Sequence, residues 1–392
     1  MQQSNSLFQT PFAELDLHRI PSDGSQANSL RAWDAADELM LNHLAQQQLP
    51  EVSSKLLIIN DGFGALSGSL SDYSVTNWND SLISHLACKA NLKRNQRTAP
   101  IDFLPSTAKP SGLFDLVLIK IPKTLALLEH QLITLKPHIN DHTVIIAGGM
   151  VKYLQTSHQQ LFEKYLGSST TSLARKKARL IFSTTERRQQ ASQSPYPLNN
   201  HYSQIDLHIS QHANVFSKNK LDIGTGFMLQ QFDQLPDGSR IVDLGCGNGI
   251  LGIMAKRQQP KCQLYFIDES YMAVESARHN YFNQNNLQSQ QAEDKDNFLV
   301  SNCLEQTTLA NIDLILCNPP FHHANTVDDH IAWQMFKQSY KALKQGGRLW
   351  VVGNRHLGYH VKLKRLFGHC KTVASHHKFV VLEAQKNSLN LD

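Results

Sequence analysis

Two stretches in the second half of the chain carry residue types at spacings that can do chemistry. In the first, Asp243-Leu-Gly-Cys-Gly-Asn-Gly249, glycines alternate behind an acidic residue. Glycine lets a ligand approach the backbone where any Cβ would clash. The spacing is GxGxG rather than the GxGxxG of dinucleotide loops, and this points to S-adenosylmethionine. Gly245, Cys246, Gly247, Asn248 and Gly249 are the expected cradle, and Asp243 the expected carboxylate for the ammonium of an amino-acid tail. Asp268 ends the next strand-like run, with Glu269 beside it. An acid at that place accepts hydrogen bonds from ribose hydroxyls. Asn302 and Cys303, after a third strand, are expected to meet the adenine.

The second stretch is Asn318-Pro-Pro-Phe321. Methylating an exocyclic amine requires the nitrogen lone pair to point at the sulfonium methyl. Two prolines hold a rigid turn without backbone donors. The Asn318 side-chain oxygen and a neighbouring carbonyl are left as acceptors for the amine hydrogens. Phe321 offers an aromatic face on which a flipped-out base can stack. The amine loses its proton after transfer, so no strong base is required and catalysis rests on orientation and proximity. Asn318, Pro319, Pro320 and Phe321 are therefore the expected catalytic residues, with His322 lining the base pocket. Residues 216–222, followed by Gly224-Thr-Gly226, either close over the cofactor or form an ordinary connector. Asn354-Arg-His-Leu-Gly-Tyr359 is expected to line the substrate cleft.

Strand-like runs at 240–243, 263–267, 298–301, 312–317, 348–352 and 378–383 must position these residues. They alternate with helical runs at 250–256, 272–280 and 333–343, the last capped by Gly346-Gly347. This alternation describes an open, mostly parallel sheet. The first half repeats the order. A strand at 56–60 leads into Gly62 and Gly64, which align on Gly245 and Gly247 and place Asn60 at the Asp243 position. Residues 79–91 lie over 268–280 without a gap, so Ser81 meets Ser270 and Asn91 meets Asn280. The strand at 116–119 matches 314–317. Shared order and spacing indicate a duplicated domain. In the earlier copy the acid is gone, and Lys120-Ile-Pro-Lys123 stands where Asn318-Pro-Pro-Phe321 sits. A second methyl-transfer site is not expected there. Lys120 and Lys123 are expected either to hold phosphates or to be solvated.

The 392 residues suit two domains, each of roughly 190 residues. A hydrophobic content of 41% with 18% charged residues is ordinary for globular α/β material. No apolar run approaches the roughly 20 residues that cross a bilayer, and the first residues lack the pattern of a signal peptide. The 6 cysteines include no CxxC pair, which argues for a reducing compartment and against structural zinc or disulfides. A cytoplasmic, metal-free protein is expected. The net charge of +5 is clustered. Arg175, Lys176, Lys177 and Arg179, with Arg187 and Arg188 soon after, form one group; Lys362, Lys364, Arg365, Lys371, His376, His377 and Lys378 form another. Such patches suit a polyanion such as RNA, or else mark a solvated helix face. Residues 1–25 read as a loosely ordered arm or an edge addition.

With these residues the chain resembles the ribosomal RNA guanine-N2 methyltransferases that carry two methyltransferase-like domains. Within that group it is most similar to the large-subunit branch, which modifies a guanine of 23S RNA. The resemblance rests on Leu30-Arg-Ala-Trp-Asp-Ala-Ala-Asp-Glu38, Ile59-Asn-Asp-Gly-Phe-Gly-Ala-Leu-Ser67 and Val117-Leu-Ile-Lys-Ile-Pro-Lys-Thr-Leu-Ala-Leu-Leu-Glu129. It continues through His212-Ala-Asn-Val-Phe-Ser217, Cys317-Asn-Pro-Pro-Phe-His322 and Asn354-Arg-His-Leu357. The small-subunit branch shares only the second-half motifs. The resemblance implies an α/β fold of two tandem Rossmann-like class I methyltransferase domains, each on a mostly parallel seven-stranded sheet. Residues 1–185 would lack cofactor and help hold RNA through Arg175, Lys176, Lys177 and the two clefted lysines. Residues 186–200 would be a linker and residues 201–392 a catalytic, S-adenosylmethionine-dependent domain. Apart from the resemblance, a monomer is the expected state. Gly224-Thr-Gly226 departs from the group's pattern. The competing readings are a 16S guanine-N2 methyltransferase, a protein glutamine-N5 methyltransferase (whose motif ends in tyrosine) and a non-catalytic RNA-binding assembly factor. The intact Asp243 loop and Asn318 argue against the last.

Overall fold

The computed structural model describes residues 6–19, 30–47, 51–186, 193–216, 220–285, 296–320 and 326–387. The chain divides into two units between Tyr196 and Pro197. The first unit opens with a hairpin of β1 (Leu7–Gln9) and β2 (Glu14–Asp16). Its sheet comprises β3 (Lys55–Ile59), β4 (Ser74–Asn79), β5 (Asp102–Pro105), β6 (Leu116–Lys120), β7 (Val144–Met150), β8 (Ser169–Thr171) and β9 (Ala178–Ser183). The order across it is β5-β4-β3-β6-β7-β9-β8. The second unit opens with a hairpin of β10 (Leu198–Tyr202) and β11 (Leu207–Gln211). Its sheet comprises β12 (Arg240–Leu244), β13 (Gln263–Asp268), β14 (Asn297–Val300), β15 (Ile312–Cys317), β16 (Leu343–Asn354), β17 (Lys371–Ser375) and β18 (Phe379–Gln385). The order is β14-β13-β12-β15-β16-β18-β17, the same permutation. Each sheet is parallel except for β9 or β18, which runs against its neighbours.

Helices cover both faces, which is why the central strands read as unbroken apolar runs. In the first unit they are α1 (Ala35–Leu44), α2 (Ala65–Ser69), α3 (Leu82–Arg94), α4 (Leu125–Leu135) and α5 (Thr156–Tyr165). In the second they are α6 (Ile223–Leu229), α7 (Ile250–Gln258), α8 (Tyr271–Asn285), α9 (Thr326–Ala342) and α10 (Tyr359–Phe367). Strand alternation sorts the second core into two layers. Ile241, Leu314, Leu316, Trp350 and Val352 pack with Met228, Ile250 and Ala277 from α6, α7 and α8. Val242, Leu244, Ile315, Cys317 and Val351 pack with Phe336 and Leu363 from α9 and α10.

The strand pairings fix how the two units correspond. Ile59 pairs with Ile119 at the end of β3, as Leu244 pairs with Cys317 at the end of β12. Beyond them Asn60 (φ 63°) takes the left-handed place of Gly245 (φ 74°), and Gly64 (φ 84°) that of Gly249 (φ 82°). A Cβ on Gly64 would lie 2.8 Å from the Cys88 sulfur, and one on Gly249 would lie 2.9 Å from the Ala277 Cβ. The expected alignment was therefore two residues out of register. Ile58, not Asn60, stands at the Asp243 position, and Gly62 and Gly64 fall on Gly247 and Gly249. Alternating glycines can be overlaid in either register, whereas strand pairing and the left-handed entry into a helix cannot.

The pairing of Asn91 with Asn280 holds. The Asn280 amide donates to the carbonyls of Ser210 (2.9 Å) and Asn248 (3.0 Å) and accepts from the Ser210 amide (2.7 Å). Asn91 makes the same set with His18 (2.9 and 3.0 Å) and Phe63 (2.9 Å). Each asparagine thus ties the entry hairpin of its unit to its glycine loop.

Other expectations need correction. Residues 7–16 are not a loose arm but the β1–β2 hairpin, with Phe8 and Leu15 in the core; residues 1–5 and 20–25 lie outside the described residues. Within the expected linker, residues 198–200 belong to β10. Tyr196 donates its hydroxyl to Glu129 at 3.0 Å, which ties residues before the division to the first unit. Residues 187–192, including Arg187 and Arg188, are not described. Gly346-Gly347 does not cap a helix. α9 ends at Ala342, and the pair lies within β16, where a Cβ on Gly347 would meet the Ile312 carbonyl at 2.7 Å. Arg175, Lys176 and Lys177 form the exposed turn between β8 and β9, not a helix face.

Candidate active site

The glycine loop of the second unit runs from β12 into α7 at the carboxyl edge of the sheet. Asp243 is 1% exposed, and its Oδ2 accepts the Gly252 amide of α7 at 2.8 Å. Burial pushes its carboxyl up to about 8, with the nearby charge of Asp268 adding to the rise and the Gly252 amide opposing it. Asp268 closes β13. Its Oδ2 accepts the Gly247 amide and its Oδ1 the Ser270 amide, both at 3.0 Å. These bonds clamp the loop to the adjacent strand end. The Cys246 side chain packs into the core, so only its backbone belongs to the loop. Asn248 lends its carbonyl to Asn280. Glu269 follows Asp268 at the strand exit. Asn302 is buried, its side chain donating to Glu305 at 2.7 Å and its backbone amide to Gln306 at 2.7 Å. Cys303 next to it is left-handed (φ 52°), and burial pushes its thiol up to about 12.

Asn318 follows β15 with a defined orientation. Its Nδ2 donates to Asp222 Oδ2 at 3.1 Å and to Thr225 Oγ1 at 2.9 Å. A carboxylate only accepts, so the nitrogen must face Asp222 and the oxygen must face away. That oxygen is buried and has no hydrogen-bond partner. Asp222 is itself fixed as the N-cap of α6, its Oδ2 accepting the Thr225 amide at 2.8 Å. Pro319 is buried and Pro320 exposed behind the asparagine. Phe321 and His322, expected beside them, lie outside the described residues. Asp222 and Thr225 were not singled out from the sequence, where their stretch read equally well as a connector. The N-cap spacing of an acid three residues before a threonine was the available sign.

The corresponding site of the first unit is filled. Lys120 holds the place of Asn318, but its ammonium lies 2.6 Å from Asp34 and 2.9 Å from Asp37. Asp34 is the N-cap of α1 and Asp37 its third residue, as Asp222 and Thr225 are in α6. Burial opposes charge on Lys120, yet the two carboxylates outweigh it and hold the ammonium protonated. Lys120 is therefore a half-buried residue already paired with two carboxylates, which speaks against the expectation that it holds a phosphate. Lys123 is exposed. The Asn60 side chain crosses the loop mouth, donating to the Lys120 carbonyl (3.0 Å) and exchanging bonds with Gln131 (3.0 and 2.8 Å). Asp61 fills the loop interior, accepting the amides of Gly64 (3.0 Å), Ala65 (3.1 Å) and Ser67 (2.8 Å). Asn79 replaces the acid that Asp268 supplies.

The shared sheet order and the clamped glycine loop in the second unit define a Rossmann-like class I methyltransferase. Known proteins agree. Residues 5–187 match the family described as RLMG N-terminal domain, and residues 206–383 that described as Methyltransferase small domain. The chain is 46% identical over 383 residues to ribosomal RNA large subunit methyltransferase G of Ectopseudomonas mendocina, covering 97% of this chain and 100% of the relative. It is 47% identical over 376 residues to the same-named protein of Erwinia tasmaniensis, covering 95% and 97%. Among solved structures, a T. thermophilus 16S rRNA N2 methyltransferase in complex with AdoMet and guanosine superposes with a TM-score of 0.75 at 20% identity, covering 97% of each chain. The last likeness speaks for the fold alone. The chain belongs to the ribosomal RNA large subunit methyltransferase G family. Among the described residues no helix is long and apolar enough to cross a membrane, and no group of three or more His, Cys, Asp or Glu is placed to hold a metal ion.

Proposed function

We propose that the second unit methylates the exocyclic N2 amine of a guanine in 23S ribosomal RNA, with the first unit holding RNA and binding no cofactor. The observation that carries this reading is the Asn318 carbonyl oxygen, buried and without a partner while its nitrogen is pinned. A buried acceptor left unpaired costs about 1–3 kcal/mol, which an amine donor entering the site returns. S-adenosylmethionine supplies the methyl group when bound. The loop from Gly245 to Gly249 would admit it against the backbone, the Asp268 carboxylate would accept from ribose hydroxyls, and Asn302 and Cys303 would meet the adenine; Asp268 at the end of its strand and the left-handed glycines support this reading. The buried Asp243, with one helix amide as support and no cation beside it, suits a positively charged ammonium.

On this reading Asn318 Oδ1 accepts one amine hydrogen and turns the nitrogen lone pair away from itself. The prolines keep competing donors out of the turn. The methyl's bond to sulfur would break as its bond to nitrogen forms, leaving a neutral thioether; the nitrogen would become positive, and its proton would leave to water without a protein base. Asp222 and Thr225 act as positioning residues that prevent the amide from flipping. The exposed turn of Arg175, Lys176 and Lys177, with Lys123, supplies cationic surface for phosphates. Such a substrate implies a working enzyme in the cytoplasm. Mass spectrometry of digested rRNA from a strain lacking the protein tests the activity. One N2-methylguanosine should disappear from 23S RNA and return on complementation; an unchanged 23S profile would contradict the reading.

A further inference from the structure

A second amide oxygen at the same edge has no role in the chemistry described so far. Asn354 closes β16, and its Oδ1 is buried without a hydrogen-bond partner. Among the described residues of the second unit, Asn318 and Asn354 are the two whose side-chain amide oxygens are in this state. Successive strand residues alternate faces. Asn318 follows Leu314 and Leu316, and Asn354 follows Trp350 and Val352; these four side chains lie in the core layer beneath α6. Cys317 pairs with Val351, so Asn318 stands level with Val352, and Asn354 lies two residues farther along the same face of the neighbouring strand. Two acceptors without donors therefore stand on one face of adjacent strand ends, beside the proline turn.

The first unit lacks both. Ile119 pairs with Ala147 as Cys317 pairs with Val351, so Lys120 stands for Asn318 and Met150 for Asn354. Among the described residues this acceptor pair occurs in the second unit alone.

Guanine is the base whose pairing edge presents two adjacent donors, the N1–H and the N2 amine. Adenine sets its amine beside an acceptor nitrogen, and cytosine does the same. We propose that Asn354 is the residue that selects guanine: its Oδ1 accepts the N1–H while Asn318 Oδ1 accepts from the amine. In the orientation the structure shows, a base with an unprotonated N1 has no proton for Asn354 Oδ1 and sets two lone pairs against each other. This inference rests on the guanine-N2 reading and goes beyond it by naming the atom that recognises the base. A site built around such a bond discriminates strongly against analogues that lack it.

The test uses the full-length protein and a 23S RNA fragment carrying either guanine or 2-aminopurine at the modified position. 2-Aminopurine keeps the amine but has no proton on N1. The wild-type protein should prefer guanine in kcat/KM. In Asn354→Ala that preference should fall by roughly tenfold or more, with cofactor binding intact, while Asn354→Asp, which keeps an acceptor, should retain most of it. Differences in intrinsic amine reactivity cancel in the ratio of ratios. Equal use of both bases by the wild-type protein, or an unchanged preference in Asn354→Ala, would overturn the assignment. Absence of methylation on guanine by the wild-type protein would instead overturn the underlying function.

Discussion

Lys120 and Asn318 occupy one position in two copies of a fold, each beneath the N-cap of the preceding helix, and they are treated oppositely. The ammonium of Lys120 is closed in by Asp34 and Asp37, whereas the carbonyl of Asn318 is left buried and empty while Asp222 and Thr225 hold its nitrogen. The same contrast runs through both loops. Asn60 and Asp61 spend their polar atoms on neighbouring backbone and on Gln131. Asp243 sits in the core with one helix amide as its partner, and burial raises its carboxyl. The two copies thus differ less in fold than in whether the polar groups at the carboxyl edge of the sheet are already satisfied.

The largest effects should come from exchanging this pair of positions for alanine. Asn318→Ala should lower kcat by about a thousandfold, a magnitude in line with loss of a catalytic donor or acceptor, with cofactor affinity and melting temperature nearly unchanged. Lys120→Ala should leave kcat alone but destabilise the protein by roughly 1–3 kcal/mol in denaturant titrations, because the buried Asp37 loses its cationic partner. A stable Lys120→Ala protein with impaired catalysis would break the comparison.

Next in size is Asp243. Its carboxyl is raised from 3.8 to about 8, so the folded protein binds a proton that the unfolded chain releases. The stability this proton provides is complete below about pH 4 and is lost as pH rises through about 8. Asp243→Asn should remove that slope, making the protein more stable than wild type at pH 8 by about 1 kcal/mol or more, while weakening cofactor binding. Thermal melts from pH 5 to 9 check the sign; parallel curves for the two proteins would show that Asp243 is not the titrating group.

The smallest effect concerns the surface cations of the first unit. Replacing Lys123, Arg175 and Lys177 by alanine should flatten the dependence of log affinity for RNA on log salt by about 2. Lys120→Ala should not change it, since that charge is already neutralised internally. An equal change in slope from Lys120→Ala would return Lys120 to the RNA interface.

Much of this architecture was legible in the chain, for local reasons. Apolar runs bounded by glycine turns located the central strands, and the order of motifs exposed the duplication. Asp268, Asn318 and the glycines are recognisable because their chemistry depends on short spacings. What was hidden depends on distance. Asp222 and Thr225 precede Asn318 by 96 and 93 residues, and Asp34 precedes Lys120 by 86. No window of sequence joins them. The register of the first glycine loop was misread because two alternating glycines fit either way, and strand pairing decided it. Gly346 misled for a similar reason, since a left-handed glycine serves a strand entrance as well as a helix end.

The central claim is that one copy of the fold binds cofactor and the other is closed. Equilibrium dialysis of S-adenosylmethionine against the full-length protein measures it directly. One site per chain is expected, lost in Asp268→Ala and retained in Lys120→Ala; two sites per chain, or undiminished binding in Asp268→Ala, would show that the two copies do not differ in this way.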